Sequence, residues 1–171
     1  MNAIVPTTAT TGAHTAEAGL ERIEKLVTFS LIEEEYGVAI REVREIILMT
    51  DITPVPRAPA FVEGVINLRG QIIPIVDLRK RFNLGASAIG ADSRIVVVEV
   101  DHHVLGLIVD KVSDVRDIPT SKINPPPALV ASGIGAEYIR GIANRDGQLT
   151  VLIDLKKVFT ASEMSALKTV G

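Results

Sequence analysis

The sequence contains no cysteine. This absence excludes disulfide bridges, zinc–thiolate sites and thiol nucleophiles, and it favours a reducing compartment. The chain also lacks a strong charge of either sign, because its formal net charge is only -3. A protein without a basic surface is a poor candidate for binding nucleic acid. We therefore expect no nucleic-acid partner.

Long hydrophobic runs are also missing. No apolar stretch approaches the roughly 18 residues that a membrane-spanning helix needs, and the opening "MNAIVPTTATTG" has neither the basic start nor the apolar core of a secretion signal. These absences predict a soluble, cytoplasmic protein with no direct membrane insertion. Its 171 residues are enough for one domain, or for two small subdomains that share a core.

Residues suited to catalysis or metal binding are scarce. His102 and His103 are adjacent, so on an extended chain they point to opposite faces and do not easily hold one ion. The stretch "SGIGAEYIRG" (132–141) lacks the third glycine and the strand–turn–helix context of a dinucleotide-binding loop. These residues therefore support neither a metal site nor a nucleotide-dependent enzyme, and we expect no catalytic residue, metal or cofactor.

Short β-strands dominate what is present. From Leu26 onward, runs rich in β-branched residues alternate with Gly, Pro, Asn and Asp. Their continuous apolar character predicts strands covered on both faces, and their spacing predicts small barrels. Helix is expected only briefly after Asp77 and Asp154, and at the C-terminus, where Thr160–Glu163 has the form of a capping box. Residues 1–23 are predicted to form a flexible tail.

An internal repeat organises these strands. "GVINLRGQIIPIVDLRKRF" (64–82) matches "GIANRDGQLTVLIDLKKVF" (141–159) at eight of 19 positions, with a shift of 77 residues. Upstream, "YGVAIREVREI" (36–46) resembles "LGLIVDKVSDV" (105–115) with a shift of 69 residues. The chain therefore reads as two copies of one β unit. We expect each copy to form a barrel, with a groove where the two meet.

The repeat separates structural residues from functional ones. Asp77 and Asp154 occupy the same place in both copies, so helix N-capping is favoured over the alternative of paired acid/base carboxylates. Gly70 and Gly147 likewise end matching turns, where glycine supplies the positive φ of a four-residue connection such as a type I turn closed by a bulge.

Arg69 is not explained by the repeat. Its partner in the second copy is Asp146, so the turn does not require a cation. Neutral surface variation is one interpretation. The other is a cation held at the groove, and "REVREI" supplies an acidic partner nearby. We expect an Arg–Glu pair at the rim of the groove, and both Glu42 and Glu45 are available as its acidic member. The proline-rich stretches "ITPVPRAPAF" and "NPPPAL" are either rigid loops or docking ridges, and the residues alone do not decide between these.

The chain from Leu26 to Lys168 resembles the CheW family, the scaffold proteins of bacterial chemotaxis. The resemblance rests on "NLRG" and "PIVDLR", with support from "YGVAIREVREII", "GLIVDKVSDV" and "YIRGIA". It implies a mainly β fold of two small five-stranded β-barrel subdomains, interleaved within residues 24–168, with short helices and a C-terminal helix. The length leaves no room for a kinase or receiver domain, so the stand-alone form of the family is expected.

The resemblance also implies a function. Such proteins are non-enzymatic adaptors that couple chemoreceptors to the histidine kinase CheA and join both in membrane-associated arrays. The receptor's hairpin tip lies in the groove between the subdomains, and the regulatory domain of CheA docks barrel to barrel.

Carried over by position, the implied contacts fall into two groups. The expected receptor-binding residues are Ile40, Val43, Glu45, Asn67 and Arg69. Among them, we expect Arg69 to face the groove and to pair with Glu45. The expected kinase-binding residues are Pro54, Val55 and Leu129. Family members often carry a large aromatic residue where this chain has Leu129, so the strength of a second, ring-forming interface is open.

Two alternatives remain at this stage. A CheW-like scaffold of a related, non-motility signalling system would share the same fold and groove. A small-ligand-binding β-barrel protein would instead need convergent polar groups in the cleft, and the sequence offers few candidates.

Overall fold

The computed structural model describes residues 22–85, 88–127 and 136–170, with the backbone alone for residues 136 and 168–170. Its strands, in chain order, are β1 (Ile23–Leu31), β2 (Glu34–Ala39), β3 (Val43–Leu48), β4 (Val62–Leu68), β5 (Gln71–Asp77), β6 (Arg94–Val100), β7 (His103–Val109), β8 (Lys111–Pro119), β9 (Ile123–Asn124), β10 (Ile139–Arg145) and β11 (Gln148–Ile153). Its α-helices are α1 (Leu78–Arg81), α2 (Leu155–Val158) and α3 (Ala161–Val170), and short 3₁₀ turns cover Ile40–Glu42, Thr120–Lys122 and Ala136–Tyr138. The predicted tail, residues 1–23, lies outside the described residues except for its last two, and Ile23 already begins β1.

The strands form two sheets. The six-stranded sheet has the order β8-β1-β2-β11-β10-β9, and the five-stranded sheet has the order β3-β6-β7-β5-β4. Neighbouring strands are antiparallel except for the parallel pairs β2–β11 and β5–β7. The predicted mainly β fold of two β subdomains with short helices and a C-terminal helix is confirmed, but one sheet has six strands where five were expected.

The two sheets do not coincide with the two repeats. The hairpin β1–β2 belongs to the first copy but lies in the sheet with β8, β10 and β11 of the second copy. The hairpin β6–β7 of the second copy lies in turn with β3, β4 and β5 of the first. The expectation that each copy forms its own barrel is therefore wrong.

Short links explain this exchange. Only the three residues Ile40–Glu42 separate β2 from β3, and only Asp110 separates β7 from β8. In the six-stranded sheet, the place of β3 would be beside β1, where the matched strand β8 lies. A strand there runs parallel to β2, and a connection between parallel strands needs a crossover of about a dozen residues or more. Because the links are too short for that return, the chain runs on into the other sheet.

The repeat nevertheless extends to the register of the strands. Leu152 pairs with Gly37 in the six-stranded sheet, and the repeat-matched residues Ile75 and Gly106 pair in the five-stranded sheet. Residues are called matched here when a shift of 69 (β1–β3 onto β6–β8) or 77 (Phe61–Phe82 onto Tyr138–Phe159) relates them. The two sheets are thus built on one hydrogen-bonding pattern.

Successive side chains along a central strand point to opposite faces and pack in different apolar clusters. On β6, Val96, Val98 and Val100 pack in the large cluster between the sheets, whereas Ile95 and Val97 pack inside the five-stranded sheet. The corresponding cluster inside the six-stranded sheet contains Leu26, Ile118, Ala143 and Leu152. The prediction of strands covered on both faces is confirmed, and burial of this kind is the main favourable term in folding.

The helix caps form as predicted. The Asp77 carboxylate accepts hydrogen bonds from the backbone N–H groups of Arg79 (3.0 Å) and Lys80 (3.4 Å), and Asp154 accepts one from Lys156 (3.0 Å). At α3, the Glu163 N–H donates to Thr160 Oγ1 (3.1 Å) and the Thr160 N–H donates to Glu163 Oε1 (2.7 Å). This reciprocal pair is the capping box expected from the sequence.

Arg81, which sequence reasoning missed, ties the two copies together. Its guanidinium lies over the rings of Phe61, Tyr138 and Phe159, with centroid distances of 5.3, 5.6 and 5.9 Å. Its Nε donates to the Val158 carbonyl at 2.8 Å, and its Nη2 pairs with Glu163 at 3.2 Å. Cation–π contacts and charged hydrogen bonds thus hold α1, α2 and α3 at the junction of the sheets.

Gly64 of β4 lies against the backbone of Thr53, and a substitution there tests how tightly the two segments pack. A Cβ at this position would lie 2.1 Å from the Thr53 carbonyl oxygen, and its φ is +148°. We expect Gly64→Ala to lower the free energy of unfolding by about 2–4 kcal/mol, through overpacking and backbone strain. Gly90→Ala is the control, because a Cβ added there would have no other atom within 4 Å, and it should change stability by less than about 0.5 kcal/mol. Urea unfolding measures both, and equal losses would contradict this account.

Candidate functional site

The β4–β5 turn is tighter than the sequence predicts. Leu68 pairs with Gln71, so the loop has only two residues, Arg69 (φ +52°) and Gly70 (φ +88°). Positive φ at both positions is the signature of a type I′ hairpin turn. The predicted four-residue type I turn with a bulge is therefore wrong, and Leu68 is the last residue of β4 rather than part of the turn.

The turn-making roles of asparagine and glycine are confirmed. Asn67 Oδ1 accepts a hydrogen bond from the Gly70 N–H at 2.8 Å, and Asn144 accepts one from Gly147 at 3.0 Å. Gly147 has φ +87°, close to that of Gly70. Both turns thus use one construction, and Asn67 is satisfied within its own turn.

Arg69 pairs with Glu45, as expected. Its Nη1 donates to Glu45 Oε1 at 3.2 Å, and its Nη2 donates to Oε2, so the contact is bidentate. The Arg69 side chain is 70% exposed and that of Glu45 is 30% exposed. The hydrogen bonds from Arg69 hold the pKa of the Glu45 carboxyl below its ordinary value.

This pair joins the two edges of the five-stranded sheet. Glu45 lies on β3, opposite Val97 of β6, and Arg69 is at the tip of the hairpin formed by β4 and β5. Since β3 and β4 are the outermost strands in the sheet order, the pair spans the sheet's open end. A planar guanidinium is thereby held by one carboxylate with most of its surface in solvent.

The matched turn of the six-stranded sheet has no cation at the position of Arg69, although Arg145 precedes that position as the last residue of β10. Asp146 takes the place of Arg69 and Asp114 takes the place of Glu45, and both are exposed. Asp146 suits the positive φ of its turn (+54°), because Asp tolerates the left-handed region better than Arg does. Arg69 is therefore a departure from what the turn itself favours.

The other expected receptor-contacting residues lie where the chain passes between sheets. Ile40 opens the 3₁₀ turn that links β2 to β3, and it is 37% exposed. Val43 begins β3 and packs against the large cluster between the sheets. Ile40 thus offers apolar surface at the junction, and Val43 anchors the segment beside it.

Glu42 is a residue of this segment that sequence reasoning did not select. Partial burial raises the pKa of its carboxyl, and the nearby Asp154 carboxylate adds to the effect, although Arg41, Lys156 and Arg140 oppose it. Position in the sequence gave no sign of this, because Asp154, Lys156 and Arg140 act on Glu42 from the second copy.

Of the expected kinase-contacting residues, Pro54 and Val55 lie within the described part of the chain and Leu129 does not. Thr53 pairs with Val65 of β4 through two backbone hydrogen bonds of 2.9 Å, which fixes the start of the proline-rich segment. Beyond it, Pro54 is exposed and Val55 is half-buried. Leu129 lies outside the described residues.

Sites for ions and membrane spans were also sought. Over the described ranges, no group of three or more His, Cys, Asp or Glu side chains is arranged to hold a metal ion. His102 is in the two-residue turn between β6 and β7, and His103 begins β7, as the predicted hairpin connection requires. No helix in the described part of the chain combines the length and apolarity needed to cross a bilayer.

Comparison with known proteins places the chain. The model of the CheW-like domain matches residues 25–163. The chain belongs to the CheW family. It is 38% identical over 147 residues to the chemotaxis protein CheW of Treponema pallidum, covering 84% of this chain and 86% of that protein. It is 39% identical over 142 residues to the chemotaxis protein CheW of Rhizobium meliloti, covering 83% and 91%.

A solved structure agrees. The crystal structure of the scaffolding protein TtCheW from Thermoanaerobacter tengcongensis matches with a TM-score of 0.75 and 41% identity, covering 84% of this chain and 92% of that one. The CheW family is one of chemotaxis scaffold proteins rather than of enzymes, and the chain is a CheW-like scaffold protein with a mainly β fold.

The pKa of Glu42 leads to a prediction about pH. Because its charged form is disfavoured in the folded protein, Glu42 lowers the free energy of unfolding at neutral pH, and the penalty disappears as pH falls through its folded-state pKa. Glu42→Gln should therefore be more stable than the parent at about pH 7, with the difference vanishing near pH 4. Urea unfolding across this range measures it. An NMR titration of the Glu42 carboxyl that finds its pKa at or below the ordinary value would contradict this account.

Proposed function

We propose that this CheW-family protein couples chemoreceptors to the histidine kinase CheA. The observation that carries the proposal is the Arg69–Glu45 pair, because a cation occupies one of two matched turns, whose backbone favours Asp, Asn or Gly. An exposed guanidinium oriented by a carboxylate suits recognition of a partner's polar groups better than it suits the turn itself.

The receptor surface we propose consists of Ile40, Val43, Glu45, Asn67 and Arg69. The exposed Ile40 supports apolar contact with a helix, in the helix-in-groove mode. The bidentate pair supports a polar contact beside it. Asn67 would act through the turn, because its side chain oxygen is bonded to Gly70.

The kinase surface we propose includes Pro54, Val55 and Leu129, with the regulatory domain of CheA as the partner. The exposed Pro54 and half-buried Val55 follow a residue fixed to β4, so this segment is held for docking at little entropic cost. The adaptor would act in the cytoplasm, recruited to membrane-associated receptor arrays. A related signalling system other than motility would use the same surfaces.

The contribution of the ion pair to receptor binding is testable by a double-mutant cycle. We expect Glu45→Gln and Arg69→Gln each to weaken binding to receptor-bearing membranes by about tenfold, and the double variant to be little worse than either, because each change removes the same interaction. Co-sedimentation measures the dissociation constants. Asp146→Asn in the matched turn is the control and should leave binding unchanged. Strictly additive losses would rule out a cooperating pair.

Docking of the kinase is tested at Val55. Val55→Asp places a charge in the proposed apolar contact, so we expect titration with CheA to show binding weakened by about tenfold or more while the urea midpoint is retained. Ile89→Asp, at a residue that is 55% exposed, is the matched control and should bind normally. A Val55→Asp protein that binds CheA with the parent's affinity would eliminate this segment as the contact.

A further inference from the structure

The repeat exposes a difference between the matched faces that the two sheets direct toward the large cluster between them. Helix α3 packs against β5 of the five-stranded sheet. Its Leu167 is 2% exposed and lies beside Pro74 and Leu105 around one cavity. Pro74 and Leu105 are matched by Val151 and Tyr36 in the six-stranded sheet. The repeat thus relates the face under α3 to a second apolar face.

The second face is a groove lined by Tyr36, Phe82, Leu84, Tyr138, Ile139, Val151 and Ile153. In the first copy the chain continues past Phe82 as "NLG", whereas past the matched Phe159 it continues into α3. Among the described residues, no helix covers this groove.

Residues that line the groove are less buried than their matches near α3. Leu105, Pro74 and Val62 are buried on the side of α3, whereas their matches Tyr36, Val151 and Ile139 are only half-buried. Leu84 at the rim is 36% exposed. The groove floor, by contrast, is as tightly packed as its counterpart, because Tyr138 is 5% and Ile153 is 2% exposed. Among the described residues, the difference is therefore that α3 covers one formed surface and no helix covers its match.

Acidic residues near the groove indicate the charge of the segment that binds there. Glu34 and Glu137 are exposed, and Glu34 lies on the same face of β2 as Tyr36. The match of Glu34 is His103, which lines one cavity with Leu167 of α3 and carries no negative charge at neutral pH. The cation nearest Tyr138, Arg81, is already paired with Glu163. An approaching segment would therefore meet an apolar floor with acidic edges.

We propose that this groove binds an amphipathic helix of a partner protein, with two or three large apolar side chains at helical spacing and Lys or Arg beside them. Met164 and Leu167 of α3, three residues apart, show the spacing that the matched face accepts. Basic flanks would complement Glu34 and Glu137. None of the residues that line the groove belongs to the sets proposed above for receptor and kinase, so this proposal is tested independently of them.

The protein carries its own reporter for the test. It has two tyrosines, Tyr36 and Tyr138, and no tryptophan, so its intrinsic fluorescence arises from residues that line the groove. The probe is a helix-stapled peptide of residues 160–170 made basic by Glu163→Lys and Ser165→Lys. The comparison peptide has the unchanged sequence of residues 160–170 except for Lys168→Glu, which makes it acidic. Both are titrated into the full chain.

We expect a saturable change in tyrosine fluorescence with the basic peptide, and at least tenfold weaker binding of the acidic one. Leu84→Asp should weaken binding of the basic peptide at least tenfold, whereas Val115→Asp, at a residue that is 50% exposed elsewhere on the sheet, should not. Glu34→Lys with Glu137→Lys should reverse the preference. Circular dichroism and urea unfolding check that each variant is folded.

Other results would overturn the proposal. Failure of both peptides to bind, or equal binding by Leu84→Asp and Val115→Asp, would show that the groove is not a helix site. If removal of residues 1–21 raises peptide affinity tenfold, the chain's own N-terminal segment is the occupant. If the peptide dissociates a dimer detected by analytical ultracentrifugation, the occupant is a second copy.

Discussion

The links β2–β3 and β7–β8 are the constraint on which the rest of the structure depends. Three residues and one residue are too few to return a strand to its own sheet, so each copy of the repeat gives its first hairpin to the other. The large cluster between the sheets then draws side chains from both copies. The segment Ile40–Glu42, which begins the proposed receptor surface, exists as a junction only because the chain crosses there.

A repeat with exchanged hairpins has a second consequence, which is that equivalent positions have different neighbours. Gly70 and Gly147, or Asp77 and Asp154, keep one role because turns and caps are made by local backbone geometry. Arg69 and Asp146 share a backbone conformation and differ in chemistry. The comparison of copies therefore isolates residues whose identity the fold does not require, and such residues are candidates for contact with partners.

Much of the fold follows from local patterns. The apolar runs indicated strands buried on both faces, Asn67 and Gly70 indicated a turn, and Thr160 with Glu163 indicated a cap. The pairing of Glu45 with Arg69 was also anticipated from complementary charge. The exact turn was not, because an arginine at φ +52° contradicts the usual preference for Asn, Asp or Gly at this position. The environments of Glu42 and Arg81 escaped notice because much of each is supplied by residues of the second copy, more than fifty residues away in the chain.

Glu35 shows most clearly where local information ends. It is one of three consecutive glutamates, and its neighbours Glu33 and Glu34 are exposed. Glu35, however, is only 8% exposed, pairs with Arg116, and accepts a 2.5 Å hydrogen bond from Thr150. The sequence by itself determined the strands, turns and caps, since these depend on hydrogen bonds and periodicity within a few residues. Only the tertiary structure decided which hairpin joins which sheet, which carboxylates are buried and which apolar face α3 covers, because these depend on contacts between segments that the chain keeps far apart.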